Sequence, residues 1–367
     1  MTARKTASTN NAPLPNGLEV GGYRIVRKIS SGGFSFVYLA TDEHGQPCAI
    51  KEYFPAAFVR RAEGELEPQV ADTCQPTYRN GLQCFFDEGR ALARVDHPNI
   101  VWVLNFFRAY DTVYLVMAWE RGRSLQELVL RRRGRRAGGG GSVLPEGYVL
   151  HVFHQLMSGL REVHANRLLH LDLKPANIYL RMDGTPLLLD FGAARRALDV
   201  QPARLFPMYT PGFAAPELYR RGKRLGPWTD VYGLGASLYA CLAGKPPPPA
   251  DERELNDPIP QALDALAPAY SQALLDLVHW CLKLDILERP QSVFALQRAM
   301  RFIEVPRDET RPVTTLGRWL DTLSAGSMSG RTLFRGTVLR RTIQHGPQKG
   351  SPQRHSGSGR LVTDRHG

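Results

Sequence analysis

The hydrophobic pattern of the chain changes its period near Gly122, and this change restricts the folds that are open to it. Before that point, short runs rich in β-branched and aromatic residues, such as 36–41 and 47–52, predict strands. Residues 78–95 interrupt them with apolar side chains at helical spacing. Beyond Gly122 helical spacing dominates, as in residues 149–165. The sequence therefore predicts an α+β chain with a small β-rich lobe followed by a larger helical lobe.

Composition divides the 367 residues into one large folded region with polar ends. The start is polar and contains Pro13 and Pro15, while the end is rich in Gly, Ser, Thr and Arg. The run RRRGRRAGGGGS has too few apolar residues to pack against a core. We predict a disordered leader (1–21), a folded domain (22–304) made of an N-lobe (22–120) and a C-lobe (121–304), a flexible basic loop (131–142) and a basic, mostly disordered tail (305–367).

The net charge of +12 is concentrated in two segments. Residues 121–136 contribute +6 and residues 306–367 contribute +7, so the rest of the chain is nearly neutral. This placement favours solvated basic segments over a dedicated nucleic-acid site, although a polyanion or an anionic membrane surface stays open as their partner.

The cysteine pattern and the distribution of apolar residues predict the cellular compartment of the protein. Five scattered cysteines form no C-x-x-C pair, which is typical of free thiols in a reducing environment. The polar N-terminus does not resemble a secretory signal, and no apolar run reaches the roughly 18 residues of a membrane span. A cytoplasmic protein without a membrane span is expected.

Two motifs in the β-rich region suit phosphate binding. In Ile29-Ser30-Ser31-Gly32-Gly33-Phe34-Ser35-Phe36-Val37, small residues in a hairpin allow backbone N–H groups to approach phosphate oxygens. By itself this motif is weak, because paired glycines often mark an ordinary turn. An alternating strand then ends in Lys51, which taken alone would be read as a solvated surface lysine.

Two further motifs supply carboxylates and an amide. In residues 170–177, HLDLKPAN, Asp172 and Asn177 are separated by a proline, so both lie on a loop and can face one site. Asp190 follows an apolar strand and precedes Phe191-Gly192, where the glycine permits a sharp change of direction. Oxygen ligands of this kind suit magnesium.

These motifs, in this order and followed by Ala215-Pro216-Glu217 and Arg289, resemble the protein kinase family. The resemblance covers about residues 23–304. The sequences KEYFP at 51–55 and TPGFAAPELY at 210–219 are similar to those of bacterial serine/threonine kinases of the eukaryotic type. It implies a bilobal protein-kinase fold that binds ATP and Mg²⁺ and acts on protein substrates.

The resemblance also implies a role for each matching residue. Lys51 would bind the α- and β-phosphates and pair with Glu88, for which the neighbouring Asp87 is the rival. Asp172 would orient the substrate hydroxyl and accept its proton, and Lys174 would neutralise the γ-phosphate. Asn177 and Asp190 would bind magnesium, Thr210 would hydrogen-bond to Asp172, and Glu217 and Arg289 would form a structural ion pair. The residues expected around ATP are a loop over the nucleotide (Ile29, Ser30, Gly32, Gly33, Ser35), an adenine pocket (Val37, Ala49, Tyr179, Met117) and a hinge with Trp119.

Some positions depart from the family pattern. Ser30 and Ser35 stand where the first and third glycines usually occur, but Gly32 keeps the middle position, so ATP binding is expected to survive. Leu171 replaces the arginine that usually precedes the catalytic aspartate, and Phe213 replaces a tyrosine.

The expected function is transfer of the γ-phosphoryl group of Mg-ATP to protein Ser/Thr hydroxyls, including those of the chain's own tail. The alternatives are a pseudokinase scaffold and a basic interaction protein on the same fold. The presence of Lys51, Asp172, Asn177 and Asp190 together favours the active enzyme.

Overall fold

The computed structural model describes residues 11–135, 143–191, 195–196, 210–220 and 222–303. Its first part is built on a six-stranded antiparallel sheet in the order β1-β2-β3-β4-β8-β7. These strands are β1 (Glu19–Val20), β2 (Tyr23–Ser31), β3 (Ser35–Thr41), β4 (Pro47–Tyr53), β7 (Val103–Ala109) and β8 (Thr112–Ala118), with a separate hairpin of β5 (Val59–Arg60) and β6 (Gln69–Val70) between β4 and the first helix.

The two faces of β4 carry different chemistry. Successive side chains of a strand point to opposite faces, so Lys51 and Glu52 lie on different sides of the sheet. Lys51 pairs with Val37 and Leu115 across the neighbouring strands, whereas Glu52 pairs with Tyr114.

Helix α1 (Gln75–Leu92) packs against β7 and β8. Its Tyr78, Phe85, Glu88 and Leu92 are buried, which is the one-sided pattern that the sequence predicts for this helix. Pro76 stands at the start of the helix, where its missing N–H needs no partner. Glu88 therefore points inward, while Asp87 is exposed.

The second part is helical and is centred on α5 (Pro227–Ala243), which is buried from Thr229 to Leu242. Gly244 ends this helix with φ +71°, a left-handed conformation that glycine adopts readily. The other elements of this part are β9 (Gly122–Ser124), α2 (Leu125–Arg135), α3 (Glu146–Ala165), β10 (Leu168–Leu169), β11 (Ile178–Arg181), β12 (Pro186–Leu188), β13 (Arg195–Arg196), α4 (Pro216–Tyr219), α6 (Ala250–Arg253), α7 (Ile259–Asp264), α8 (Gln272–Cys281) and α9 (Val293–Met300).

The prediction of a disordered leader over residues 1–21 is wrong for residues 11–21. Leu14 is 1% exposed, and its backbone N–H donates to the Tyr38 hydroxyl at 3.0 Å. Glu19–Val20 forms β1 and pairs with β2. A polar, proline-containing segment is ordered here because its backbone groups find buried partners that its own sequence does not reveal.

Several sequence predictions concern residues outside the described part. These are residues 1–10 of the leader, residues 136–142 of the basic loop, and the tail from residue 305 onward. Residues 131–135, also assigned to the loop, continue helix α2. Within the described ranges, no helix combines the length and the apolar character that a membrane crossing requires.

Candidate active site

The loop between β10 and β11 gathers polar side chains around the carboxylate of Asp172. Its Oδ1 accepts a hydrogen bond from the Thr210 hydroxyl at 2.9 Å, and its Oδ2 accepts from the Lys174 ammonium at 2.7 Å. Lys174 also donates to Thr210 Oγ1 at 2.7 Å. The structure thus brings together the three residues that the sequence assigns to catalysis.

Asn177 is oriented by the same carboxylate. Its Nδ2 donates to the Asp172 backbone carbonyl at 2.9 Å and to Asp172 Oδ2 at 3.0 Å. Because a side-chain amide has two donor hydrogens and one acceptor oxygen, these bonds leave Oδ1 as the group that can bind a cation.

A residue that sequence reasoning missed, Asp230 at the start of α5, fixes the backbone of this loop. Its carboxylate accepts from the backbone N–H groups of His170 and Leu171 at 2.9 and 2.8 Å, and it contacts His164 Nε2 at 2.8 Å. Leu171 is buried with φ +61°, a strained conformation for a residue with a branched side chain. The two bonds to Asp230 hold this strained turn immediately before Asp172.

The buried His170 side chain contacts both the loop that carries Asp172 and the segment that carries Asp190. Burial lowers the pKa of its imidazole, although nearby carboxylates oppose this effect, so the neutral ring is favoured. The neutral ring can donate from Nε2 to the Leu189 carbonyl at 3.1 Å and accept at Nδ1 from the Asp172 N–H at 3.4 Å. It lies 4.5 Å from the ring of Phe191. His170 thus links the segment of Asp172 to the segment of Asp190.

The ammonium of Lys51 contacts Asp190 and not Glu88, which is the partner that the sequence predicts. Among the described residues, no ion pair joins Lys51 to Glu88, and Glu88 Oε1 is buried without a hydrogen-bond partner. The expected Lys51–Glu88 pair is therefore wrong for this structure, although Glu88 rather than Asp87 is the inward-facing residue. An ion pair depends on side-chain positions at the scale of an ångström, which a motif cannot specify.

The electrostatics follow from this arrangement. Burial raises the pKa of Glu88 to about 8; the positive charge of Lys51 opposes the rise and Asp190 adds to it. The pKa of Lys51 is also raised, because its carboxylate neighbours, chiefly Asp190, outweigh a burial effect that acts in the opposite direction.

Glu88 should make stability depend on pH. The folded state holds its proton up to about pH 8, whereas the ordinary value is 4.5, so the stabilisation from the neutral form is lost as pH rises through about 8. We expect the wild-type melting temperature to fall between pH 6 and 9 more steeply than that of Glu88→Gln, which stays neutral. Thermal unfolding across this range measures it, with the exposed Asp87→Asn as the matched control. Parallel curves for wild type and Glu88→Gln would contradict the raised pKa.

The loop between β2 and β3 is open around its two glycines. The Gly32 N–H donates to the Ser35 carbonyl at 2.8 Å, which closes the turn. A Cβ atom added at Gly32 or at Gly33 would meet no atom within 4 Å, so the loop has open space at both positions. Ile29 and Ser30 lie near the end of β2, and Ser35 begins β3.

The expected adenine-pocket residues share a face of the sheet. Val37 pairs with Lys51, and Ala49 pairs with Met117, so these four side chains lie on one side. Tyr179 comes from β11, and its hydroxyl donates to the carbonyl of Glu120, the chain neighbour of the half-buried Trp119, at 3.3 Å. These apolar side chains suit a flat base, and the oxygens of Asn177 and of Asp190, whose side chain is 44% exposed, suit magnesium.

The segment after Thr210 is anchored by close contacts. The ion pair between Glu217 and Arg289 is confirmed: Arg289 donates to both carboxylate oxygens at 2.9 and 2.8 Å, and the two side chains are 1% and 0% exposed. Nearer to Thr210, Gly212 has φ +84°, and a Cβ atom there would lie 2.6 Å from the Pro247 carbonyl oxygen. Gly212 therefore allows the chain to lie directly against residues 246–249, which are all proline.

Gly212→Ala should impair this anchoring. Gly222 also has a positive φ, +76°, but a Cβ atom there would meet nothing within 4 Å. Gly222→Ala therefore controls for left-handed strain of about 1–2 kcal/mol. We expect Gly212→Ala to lose a further ~1–3 kcal/mol of unfolding free energy from overpacking and to lower turnover, because Thr210 is two residues away. Denaturant unfolding and initial rates measure both effects, and equal losses for the two variants would exclude the contact as their cause.

Residues 23–300 match the protein kinase domain family, so the chain belongs to the protein kinase family. Among curated relatives, it is 29% identical over 296 residues to the serine/threonine-protein kinase pkn2 of Myxococcus xanthus, covering 76% of this chain and 32% of that protein. It is 27% identical over 302 residues to the mouse serine/threonine-protein kinase PAK 1, covering 79% and 48% respectively. The matched region thus spans less than half the length of either relative.

Solved structures agree with this assignment. A structure described as the PpkA-294 apo form has a TM-score of 0.66 and 30% sequence identity, covering 78% of this chain and 99% of that chain. The PknI kinase domain of Mycobacterium tuberculosis has a TM-score of 0.54 at 23% identity, covering 79% and 99%, which shows the shared fold.

Proposed function

We propose that this protein is a serine/threonine kinase that transfers the γ-phosphoryl group of Mg-ATP to a protein hydroxyl. The observation that carries this proposal is the hydrogen-bonded group of Asp172, Lys174 and Thr210, with Asn177 held on the same carboxylate. Phosphoryl transfer requires positioning and neutralisation of charge more than covalent help, and this group provides both.

Each residue has a part in the proposed reaction. Asp172 orients the acceptor hydroxyl and takes its proton as the hydroxyl oxygen bonds to the γ-phosphorus and the bond to the β-phosphate oxygen breaks. Lys174 lies 2.7 Å from Asp172 Oδ2 and is placed to neutralise charge on the transferred group. Thr210 holds the other oxygen of Asp172 and so fixes the orientation of the carboxylate.

The residues present fit magnesium and ATP. Asn177 Oδ1 and the Asp190 carboxylate would hold the ion, which supplies charge neutralisation between the phosphates when bound. Lys51 would bind the α- and β-phosphates beneath the Gly32-Gly33 loop.

Incubation with Mg-ATP and a generic basic protein tests the proposal, with phosphosites mapped by mass spectrometry. Phosphoserine and phosphothreonine are the expected products. Nucleotide binding without any transfer would instead favour a scaffold that uses the kinase fold, and phosphotyrosine alone would overturn the assigned specificity.

The chain's own tail is a further proposed substrate. The tail residues lie outside the described part, so this proposal rests on the sequence, which offers hydroxyl acceptors at Thr310, Thr314, Thr315, Ser324, Ser327, Ser329, Thr332, Thr337, Thr342, Ser351, Ser356 and Ser358. Tethered acceptors experience a high effective concentration at the active site.

A chain that ends at Glu304 should lose most autophosphorylation and keep its rate on added substrate. Quantified incorporation of label into both chains, at equal activity on the basic protein, measures this. Undiminished self-labelling of the shortened chain would place the acceptors within the kinase domain instead.

A reducing, cytoplasmic compartment is part of the proposal. Cys48, Cys241 and Cys281 are buried, and burial raises the pKa of their thiols, to about 11 for Cys48. Protonated, inaccessible thiols of this kind resist oxidation, so these three cysteines act as small core residues.

A further inference from the structure

A buried ion pair lies on the face of β4 opposite Lys51. Arg61 Nη1 donates to Glu52 Oε1 at 2.6 Å and Arg61 Nη2 donates to Oε2 at 2.9 Å, and both side chains are fully buried. The Tyr38 hydroxyl donates to Glu52 Oε2 at 2.7 Å and the Tyr114 hydroxyl to Oε1 at 3.2 Å. Burial and then the charge of Glu52 raise the pKa of both phenols, which keeps them protonated as donors.

Residues 11–14, here named the strap, complete this network. The Ala12 carbonyl accepts from Arg61 Nε at 2.8 Å, and the Leu14 N–H donates to the Tyr38 hydroxyl at 3.0 Å. The Ala12 N–H donates to the Arg61 carbonyl at 3.0 Å, so the strap runs beside the backbone at Arg61. Without the strap, buried polar atoms of Arg61 would lose a partner, which is unfavourable in a dry environment.

The residues that follow β4 hold the glycine-containing loop, which is one of the proposed phosphate-binding elements. Directly after β4, the Phe54 N–H donates to the Phe34 carbonyl at 2.8 Å and the Ala56 N–H donates to the Gly33 carbonyl at 2.9 Å. The Arg61 guanidinium lies 4.8 Å from the ring centroid of Phe54. The tip of the glycine-containing loop is therefore bonded to residues 54–56, against which Arg61 packs through Phe54, and Lys51 is the chain neighbour of Glu52.

We propose that Arg61, completed by the strap, is a positioning residue that sets Lys51 and the Gly32-Gly33 loop for nucleotide binding. The inference rests on the proposed function, because it assigns those two elements to ATP. It also makes the strap part of the functional kinase domain, although the family match begins only at residue 23.

Two matched pairs of variants in the full-length chain test the role of the strap. Tyr38→Phe removes the acceptor of the Leu14 N–H, the acceptor of a 3.3 Å hydrogen bond from Arg61 Nη2 and one donor to Glu52, whereas Tyr114→Phe removes a donor to Glu52 but no contact of Arg61 or of the strap. Leu14→Asp places a charge at a buried strap position, whereas Asn16→Asp adds the same charge at an exposed position two residues away.

The measured quantities are the Kd for Mg-bound AMP-PNP, the KM for ATP and the melting temperature. We expect Tyr38→Phe and Leu14→Asp to raise the Kd and the KM about tenfold, as for one unmade buried hydrogen bond, and the controls to stay within about twofold. Merely structural damage lowers the folded fraction and the melting temperature but leaves the Kd of the folded molecules unchanged. An unchanged Kd for Tyr38→Phe, or equal shifts for Tyr38→Phe and Tyr114→Phe, would overturn the proposal.

A failure of the strap proposal can be distinguished from a failure of the proposed function. If wild type binds AMP-PNP but transfers no phosphate, the proposed function fails while the Kd comparison still decides the role of the strap. If wild type binds no nucleotide, amide hydrogen exchange at Lys51 and at Gly33 decides it instead. Faster exchange in Tyr38→Phe than in Tyr114→Phe supports positioning by the strap, and equal exchange overturns it.

Discussion

Asp172→Asn should lower phosphoryl transfer by about 100-fold to 10,000-fold, the range that a positioned acid–base group contributes. The amide has nearly the same shape as the carboxylate, but it cannot accept the proton of the acceptor hydroxyl. It also removes the negative charge that Lys174 contacts at 2.7 Å. Nucleotide affinity should be nearly unchanged, because the residues proposed to hold the phosphates and the base are intact. Single-turnover transfer and the Kd for AMP-PNP measure the two effects separately.

The exposed Asp183 offers a matched control for this substitution. Its Oδ1 accepts from the Thr185 N–H at 2.9 Å in the turn between β11 and β12. Asp183→Asn should retain wild-type transfer. Equal incorporation of label by wild type and Asp172→Asn would show that Asp172 is not the catalytic carboxylate.

The site could be predicted where its residues stand in short, contiguous motifs. Asp172, Lys174 and Asn177 are close in sequence, so a single short loop brings them together. Asp230 lies on another element, and no motif links it to Asp172. The sequence nevertheless contains a signal for Asp230, because it places an aspartate at the start of the strongly apolar helix α5. A buried carboxylate needs hydrogen-bond donors, and here the backbone N–H groups of His170 and Leu171 supply them.

The fold was predictable in class but not in its long-range contacts. Periodicity distinguishes strands from helices, so the β-rich and helical parts follow from pattern alone. The order of residues 11–14 depends instead on Tyr38 and Arg61, which lie 24 and 49 positions away from their partners in the strap. Composition describes a segment by its own residues and contains no information about such partners.

Strand β4 shows how the two kinds of information combine. Because side chains alternate along a strand, Lys51 and Glu52 face opposite sides of the sheet. What each residue contacts depends on the packing of other elements: Asp190 reaches Lys51, and Arg61 reaches Glu52. Under the proposed function, a change at Lys51 acts on nucleotide binding directly, whereas loss of the strap acts on it through Arg61 on the opposite face.

Lys51→Met should abolish measurable transfer and weaken nucleotide binding. Lys51 is buried, with its ammonium against Asp190 and 5.3 Å from the ring centroid of Phe85. Methionine fills similar space beside Phe85 and removes the charge. Removing one preorganised electrostatic group lowers catalysis by roughly 100-fold to 1,000-fold, and the phosphates lose a cation in addition. Initial rates and the Kd for AMP-PNP measure the loss.

The control is Lys223→Met, which removes an exposed ammonium far in sequence from the site and should leave both quantities unchanged. Glu88→Gln adds a second comparison, because it separates the two possible carboxylate partners of Lys51. If Asp190 holds Lys51 as the structure shows, Glu88→Gln should retain nucleotide binding that Lys51→Met loses. Equal losses in the two variants would mean that Lys51 binds nucleotide only when paired with Glu88, and that the contact with Asp190 is not the arrangement that binds ATP.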